Sequence, residues 1–247
     1  MSSETIDVKT ADGVADAYLS RPDGEGLHPG VLLLMDAFGL RPQIEKMADR
    51  IASHGFTVLA PNVLYRAGRT PVMDLDGIDD PERRGAIIER IRPMMAALTP
   101  ERLDSDGGAY LDALEAVSRG PIAITGYCMG GRVGWQIATA YPSRVAALGA
   151  FHAGGLVTEA PDSPHLGAGK LDAEVYFGHA DNDQSMTPEN IAALDQALTD
   201  AGIRHRSEVY EGAAHGYTMA DTAAYDEAAA ERHFSELFEL LGRTIAA

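Results

Sequence analysis

Short apolar runs alternate with longer amphipathic stretches along most of the chain, and this rhythm constrains the possible folds more than any other feature. Residues 31–35 form an apolar run, and such runs are typical of strands buried on both faces of a parallel sheet. Residues 42–54 are predicted to form a helix, because proline stands in its first turn and Gly55 follows its end. Strands alternating with helices of this length predict an α/β fold with a mostly parallel central sheet and helices on both faces.

The same alternation predicts the remaining elements of the fold. Residues 5–9 and 14–19 are predicted to form a hairpin that turns at residues 11–13. Further strands are expected at residues 56–60, 122–125, 145–151, 175–178 and 206–210, and further helices at residues 102–118, 131–141, 187–201 and 225–241. No repeat or linker-like segment divides the sequence, so we expect a single domain over residues 1–247.

Residues 62–100, which we call the lid segment, fit this alternation worst. The segment is rich in Arg, Asp and Pro and contains a helix-like piece at residues 81–91. One interpretation is a surface excursion. The other is a lid over a site, because long connections in compact domains are often functional.

Charge and cysteine content narrow the functional classes. The 20 Lys and Arg residues against 37 Asp and Glu residues give a net charge of −17, which would repel phosphates and anionic lipids, so we expect no nucleic acid or membrane partner. The single cysteine excludes an internal disulfide and any CxxC pair. Residues 1–12 lack the features of a signal peptide, and the longest aliphatic run is too short to cross a bilayer. We therefore expect a cytoplasmic protein.

The strongest chemical signal is the segment Gly126-Tyr127-Cys128-Met129-Gly130-Gly131, between a predicted strand and a predicted helix. A nucleophile elbow needs this context, because its sharp turn leaves no room for a Cβ atom two residues to either side of the nucleophile. The beginning of a helix also favours a thiolate and presents free N–H groups to an oxyanion. These features predict that Cys128 is a nucleophile.

A nucleophilic thiol requires a base, and the base requires a carboxylate that orients it. Asp181 follows the predicted strand at 175–178, and His215 follows the predicted strand at 206–210. The order nucleophile, acid, histidine is that of α/β-hydrolases, in which each residue lies on a loop after a strand. We therefore predict the triad Cys128, Asp181 and His215, with Asp183 as an alternative acid.

These motifs resemble the dienelactone hydrolase (carboxymethylenebutenolidase) family of the α/β-hydrolase superfamily. The resemblance is carried by the Gly-x-Cys-x-Gly-Gly elbow, the turn Gly178-x-x-Asp181 and the Ala-x-His215-Gly ending, and it extends over nearly the whole chain. It implies an α/β-hydrolase fold. It also implies hydrolysis of a small-molecule ester or lactone through a thioester on Cys128, with neither a metal nor an organic cofactor.

The resemblance also suggests roles for residues around the nucleophile. The family places a glutamate ahead of the Phe-Gly segment, where it touches the resting cysteine and helps to form the thiolate. Asp36 stands at that position and is one methylene shorter. The backbone N–H groups of Met129 and Ala37 are assigned to the oxyanion hole by their positions after the nucleophile and after the first buried strand.

Substrate binding is predicted to differ from that of enzymes acting on dienelactone. Those family members hold the substrate carboxylate with arginines, one of which lies a few residues after the catalytic histidine, where this chain has Met219. Arg83 or Arg84 matches the other arginine. Tyr217 and Met219 predict a less polar wall, and His152 is expected to line the site. We therefore expect a preference for a neutral or more apolar acyl group.

Two other functions remain open from the sequence. One is a broader carboxylesterase or thioesterase that uses the same triad. The other is a catalytically silent hydrolase fold that binds a ligand or senses thiol chemistry through Cys128. The intact triad argues against a silent fold.

Overall fold

An eight-stranded mixed sheet forms the centre of the computed structural model, which describes residues 1–246. Ala247, the last residue of the predicted domain, lies outside the described residues. The strands are β1 (Ser2–Thr10), β2 (Gly13–Arg21), β3 (Pro29–Leu34), β4 (Thr57–Pro61), β5 (Arg119–Tyr127), β6 (Val145–Phe151), β7 (Glu174–Ala180) and β8 (His205–Tyr210). Their spatial order is β1-β2-β4-β3-β5-β6-β7-β8. The pairs β1–β2 and β2–β4 are antiparallel and the other five are parallel, which confirms the predicted mostly parallel sheet.

Helices cover both faces of this sheet. They are α1 (Pro42–Ala52), α2 (Pro81–Ala96), α3 (Pro100–Glu115), α4 (Met129–Ala140), α5 (Pro188–Asp200) and α6 (Glu227–Thr244). Helices α1 and α6 meet on one face, where Arg50 pairs with Glu231. Helices α3 and α4 pack together on the other face. This arrangement confirms the predicted α/β class.

The central strands are buried because both of their faces are covered. All six residues of β3 are buried, as are the last six residues of β5 and all but one residue of β6. A parallel strand enclosed in this way needs apolar side chains on both faces, which explains the continuous apolar runs in the sequence. The predicted strands are therefore confirmed, although the hairpin strands and β5 are longer than their apolar patterns.

The lid segment contains α2, which is longer than the predicted helix-like piece. Asp80 caps its N-terminus by accepting hydrogen bonds from the backbone of Glu82 and Arg83. A second, small apolar cluster lies beneath it, made of Met73, Ile78, Ile87 and Ile91. Phe38, from the loop after β3, packs against this cluster. The lid segment is therefore anchored next to the loop that follows β3.

The parallel strands bring several loops to one edge of the sheet. Cys128 follows β5, His152 follows β6, Asp181 follows β7 and His215 lies five residues after β8. The carboxyl ends of strands in an open α/β sheet form the usual ligand crevice. Among the described helices, none has the length and apolar composition needed to cross a membrane.

Candidate active site

Cys128 occupies a strained turn between β5 and α4. Its backbone has φ 54° and ψ −116°, a conformation that non-glycine residues rarely adopt. A Cβ atom on Gly126 would lie 2.2 Å from the carbonyl oxygen of Gly130, and one on Gly130 would lie 2.2 Å from that of Leu34. Both contacts are with main chain, which cannot rotate away. The two glycines therefore permit the turn that presents Cys128.

His215 lies against this cysteine. The Nε2 atom of His215 is 3.0 Å from Cys128 Sγ, within hydrogen-bond distance. The imidazole is half-buried, with 33% of its side chain exposed. The structure thus brings together the predicted nucleophile and the predicted base.

Asp183, and not Asp181, contacts the other side of the imidazole. Asp183 Oδ2 lies 2.6 Å from His215 Nδ1 and is largely buried. Asp183 Oδ1 accepts hydrogen bonds from the backbone N–H and the hydroxyl of Ser185 at 2.8 and 2.7 Å. The predicted placement of Asp181 beside His215 is therefore wrong, and the alternative residue stands there.

The loop after β7 explains this difference. Asp181 Oδ2 accepts the backbone N–H of Gly212 at 2.9 Å, so its side chain connects the β7 loop to the loop after β8. Asn182 then adopts a left-handed conformation with φ 52°, which asparagine tolerates better than most residues. This turn carries the chain round so that Asp183 faces the imidazole. An asparagine between two aspartates was the only sequence signal for it.

Hydrogen bonds set the charges of the His–Asp pair. Burial lowers the pKa of His215, but the hydrogen bonds to Asp183 and Cys128 outweigh it and raise that pKa to about 10. Burial raises the pKa of Asp183, but the hydrogen bonds from His215 and Ser185 hold it below its ordinary value. At neutral pH His215 is therefore an imidazolium that faces Cys128, and Asp183 is an ionised carboxylate on the other side of the ring.

His152 is the second histidine of the site. Its backbone is left-handed, with φ 39°, and its ring stands edge-on to the His215 ring at a centroid distance of 5.3 Å. Nε2 lies 2.8 Å from Thr218 Oγ1, whereas Nδ1 has no hydrogen-bond partner among the described residues. Burial and the nearby His215 hold the pKa of His152 well below its ordinary value. A neutral His152 therefore packs beside His215 and lines the site, as predicted.

Asp36 does not contact the cysteine through a hydrogen bond and instead binds Arg41. The Arg41 guanidinium donates to both oxygens of Asp36, at 2.6 and 3.0 Å, and to both oxygens of Asp221, at 2.6 and 3.1 Å. Its fifth N–H donates to the Gly39 carbonyl, so all five donors are used. The predicted contact between Asp36 and the resting thiol is not observed, because Arg41 occupies this carboxylate.

This ion-pair cluster has a structural consequence. Arg41 connects the loop after β3, which contains Ala37, to the loop after His215, which contains Asp221. Burial raises the pKa of Asp36 and Arg41 opposes that shift, while the two carboxylates raise the pKa of Arg41 above its ordinary value. Sequence reasoning missed Arg41, because nothing in the local pattern distinguishes it from a solvated arginine.

A cavity of about 400 Å³ opens above Cys128 and His215. Its wall includes Ala37 and Arg84, and Met129 is the first residue of α4, directly after the cysteine. The positions assigned to the oxyanion hole therefore flank the site. No group of three or more His, Cys, Asp or Glu side chains within residues 1–246 could hold a metal ion.

Two of the predicted substrate-binding residues lie elsewhere. Tyr217 is fully buried and its hydroxyl donates to the Gly178 carbonyl at 3.0 Å, so it does not form part of the cavity wall. Arg83 lies away from the cavity, with its guanidinium 3.4 Å from the Asp76 carbonyl. Helical geometry explains the difference between Arg83 and Arg84, because adjacent residues on a helix point in different directions.

Comparisons with known protein sequences point to one family. The sequence profile of the dienelactone hydrolase family matches residues 15–245. The chain is 26% identical over 226 residues to a Salmonella typhi protein named "Putative carboxymethylenebutenolidase", covering 90% of this chain and 80% of the relative. It is 26% identical over 219 residues to a carboxymethylenebutenolidase of Rhodococcus opacus, covering 88% and 81% of the two chains.

Solved structures show the same fold. The crystal structure titled "Putative Dienelactone Hydrolase" from Klebsiella pneumoniae superimposes with a TM-score of 0.83 at 21% identity, and the alignment covers 98% of each chain. The family profile spans nearly the whole sequence. The chain therefore belongs to the dienelactone hydrolase family and is a hydrolase.

Proposed function

We propose that this protein hydrolyses a carboxylic ester or lactone through a thioester formed on Cys128. The observation that carries the proposal is the 3.0 Å approach of His215 Nε2 to Cys128 Sγ, with Cys128 raised on the turn between β5 and α4. A nucleophile and a base within hydrogen-bond reach, with the base held by a third group, form the arrangement used in nucleophilic acyl transfer.

The first half-reaction forms the acyl-enzyme. The Cys128 thiolate attacks the carbonyl carbon of the ester, and the carbonyl oxygen becomes an oxyanion. The backbone N–H groups of Met129 and Ala37 stabilise this negative charge. When the tetrahedral intermediate collapses, the carbon–oxygen bond of the ester breaks and imidazolium His215 protonates the departing alkoxide. In a lactone, the leaving oxygen stays attached to the acyl group.

The second half-reaction releases the acid. Neutral His215 takes a proton from a water molecule, whose oxygen attacks the thioester carbon. The carbon–sulfur bond then breaks, which restores the thiolate and the imidazolium and liberates the carboxylic acid. Asp183 holds the imidazole with Nε2 towards the reacting atoms and stabilises its positive charge in both half-reactions.

Neither the Asp36 carboxylate nor any cofactor has a step in this proposal. Asp36 is engaged by Arg41, so His215 is the group that activates the thiol. The contribution of Asp36 and Arg41 is to hold the Ala37 loop against the loop after His215. The same triad would also cleave a thioester, and that reaction differs only in that a thiol leaves instead of an alcohol.

Hydrolysis of p-nitrophenyl acetate by the purified protein tests the proposal. We expect steady turnover, inactivation by iodoacetamide, and loss of at least about a thousandfold in kcat for Cys128→Ala. Because the chain has one cysteine, mass spectrometry locates both the alkyl group and a trapped acetyl group. Wild-type turnover in Cys128→Ala would exclude the thioester route. Alkylation of Cys128 without turnover of any ester would instead support the silent fold.

A further inference from the structure

Helix α2 presents apolar side chains to the site as well as to its own core. Ile87 and Ile91 pack into the small cluster with Met73 and Ile78. Ile88 and Met95 are 41% and 39% exposed, and both line the cavity above Cys128. Large apolar side chains left half-exposed in a concave site are typical of ligand-binding surfaces.

The opposite wall of the cavity is also apolar. Phe38 lies on the loop after β3, and Met219 and Ala223 lie on the loop after His215. Two acidic residues on the wall are already engaged, since Asp36 binds Arg41 and Asp79 accepts the backbone N–H of Ala223. These walls therefore offer a bound acyl group mainly apolar contacts.

The two arginines on the cavity wall do not form a clamp for one carboxylate. Arg84 and Arg92 are eight residues apart on α2, a rise of about 12 Å along the helix axis. Arg92 pairs with Glu89 at 3.0 Å. Bidentate recognition of a carboxylate requires donors that converge on it, whereas these two side chains start about 12 Å apart along α2 with Ile88 between them.

We propose that the cavity binds an uncharged acyl chain of several carbon atoms, which lies along Ile88 and Met95 of α2. This inference rests on the proposed function of Cys128. The first half-reaction transfers the acyl group to the sulfur and the second releases it as the acid, so the acyl group is the part of the substrate that stays in the cavity between them. The leaving alcohol departs beside His215, whose side chain is partly open to solvent.

A series of p-nitrophenyl esters tests the chain-length part of this proposal. Each methylene buried against the walls is expected to raise kcat/KM by about fourfold at most. From acetate to hexanoate we expect a total rise of about tenfold to a hundredfold. A flat or falling series would overturn the proposal.

Variants of α2 test where the acyl chain binds. In Ile88→Gln and Met95→Gln the ratio of kcat/KM for hexanoate to that for acetate should fall at least about fivefold, because a buried amide replaces apolar contact. Arg90→Gln is the matched control, since Arg90 is exposed on the same helix and does not line the cavity. It should leave both constants unchanged. Equal ratios in all three variants and the wild type would show that the acyl chain binds elsewhere and would contradict the proposal.

A charged ester of similar length tests the neutrality of the acyl group. We expect the mono-p-nitrophenyl ester of glutaric acid to react at least about tenfold more slowly, in kcat/KM, than the hexanoate. A preference for the glutarate that disappears in Arg84→Gln would identify a carboxylate site and overturn the inference.

The two proposals fail in different ways. If no ester is turned over, or Cys128→Ala is as active as the wild type, the proposed function fails. If acetate is hydrolysed through Cys128 but neither chain length nor the α2 variants change selectivity, only the inference about the acyl chain fails.

Discussion

The nucleophile turn and the lid segment contact the same cavity but are built in opposite ways. At the turn, main chain packs against main chain, and a Cβ atom on Gly126 or Gly130 would come within 2.2 Å of a carbonyl oxygen. In α2, a Cβ atom on Gly85 would meet nothing within 4 Å, and Ile88 and Met95 are half-exposed. The nucleophile turn therefore has no space for additional side-chain atoms, whereas α2 has ample space for them.

This difference separates chemistry from selectivity. The atoms that form and break bonds must be held within a few tenths of an ångström, and backbone packing provides that precision. The acyl chain, in contrast, needs only a wall of suitable size and polarity. Side chains of α2 supply this wall, resting on a small cluster of their own. Substitutions should therefore affect turnover at the first region and substrate preference at the second.

The largest effect on turnover is expected when the carboxylates near the nucleophile are replaced by amides. Asp183→Asn should lower kcat/KM for p-nitrophenyl acetate by about a hundredfold to ten-thousandfold, because the amide neither orients nor stabilises the imidazolium as a carboxylate does. Asp181→Asn is the matched control, and its amide oxygen can still accept the Gly212 N–H. We expect a change of about threefold or less. A larger loss in Asp181→Asn than in Asp183→Asn would show that the acid is Asp181.

Alanine substitutions of two glycines test the difference in packing between the nucleophile turn and α2. Gly130→Ala should lower the free energy of unfolding by about 3 kcal/mol or more, because the new Cβ atom would collide with the Leu34 and Met35 carbonyl oxygens. Gly85→Ala should raise it by up to about 1 kcal/mol, because the site is open and alanine favours the helix. Urea unfolding followed by circular dichroism measures both. Similar changes in the two variants would contradict the difference in packing.

The smallest expected effect is on the pH dependence of turnover. His215 must be protonated when the alkoxide leaves, and its pKa is raised to about 10 by Asp183 and Cys128. As the pH rises through about 10 the imidazolium loses its proton, so kcat/KM should fall on that side. In Asp183→Asn one of the raising interactions is weakened, and the midpoint should move to lower pH by at least about one unit.

The matched control for this measurement is Ile88→Gln. Ile88 lines the cavity but is not among the groups that shift the pKa of His215, so its alkaline midpoint should match that of the wild type. If the midpoint stays in place in Asp183→Asn, a group other than His215 controls the alkaline limb.

Local patterns predicted the parts of this protein that depend on neighbouring residues. The apolar runs predicted the buried strands, because a strand enclosed on both faces needs apolar residues at every position. The glycines at positions 126 and 130 predicted the nucleophile turn, because they permit a backbone conformation that is set within six residues. Cys128 and His215 were predicted to meet because each lies on a loop after a strand, and the 3.0 Å distance between His215 Nε2 and Cys128 Sγ confirms this prediction.

Contacts between distant segments were decided only by the tertiary structure. Asp181 and Asp183 are nearly equivalent in sequence, and a single left-handed residue determined which of them faces His215. Arg41 and Asp221 are 180 residues apart, so no local pattern could indicate that they meet and occupy the carboxylate of Asp36.

The cavity wall illustrates the same limit. Arg83 and Arg84 are adjacent and identical in type, yet only Arg84 lines the cavity, because the rotation of α2 about its axis is set by how Ile87 and Ile91 pack. Tyr217 is buried in the core, where its hydroxyl donates to the Gly178 carbonyl. The amino-acid sequence by itself determined the strands and the nucleophile turn, since these depend on short-range sterics and burial. The partners of charged side chains and the orientation of α2 about its axis depend on packing between segments that only the folded chain brings together.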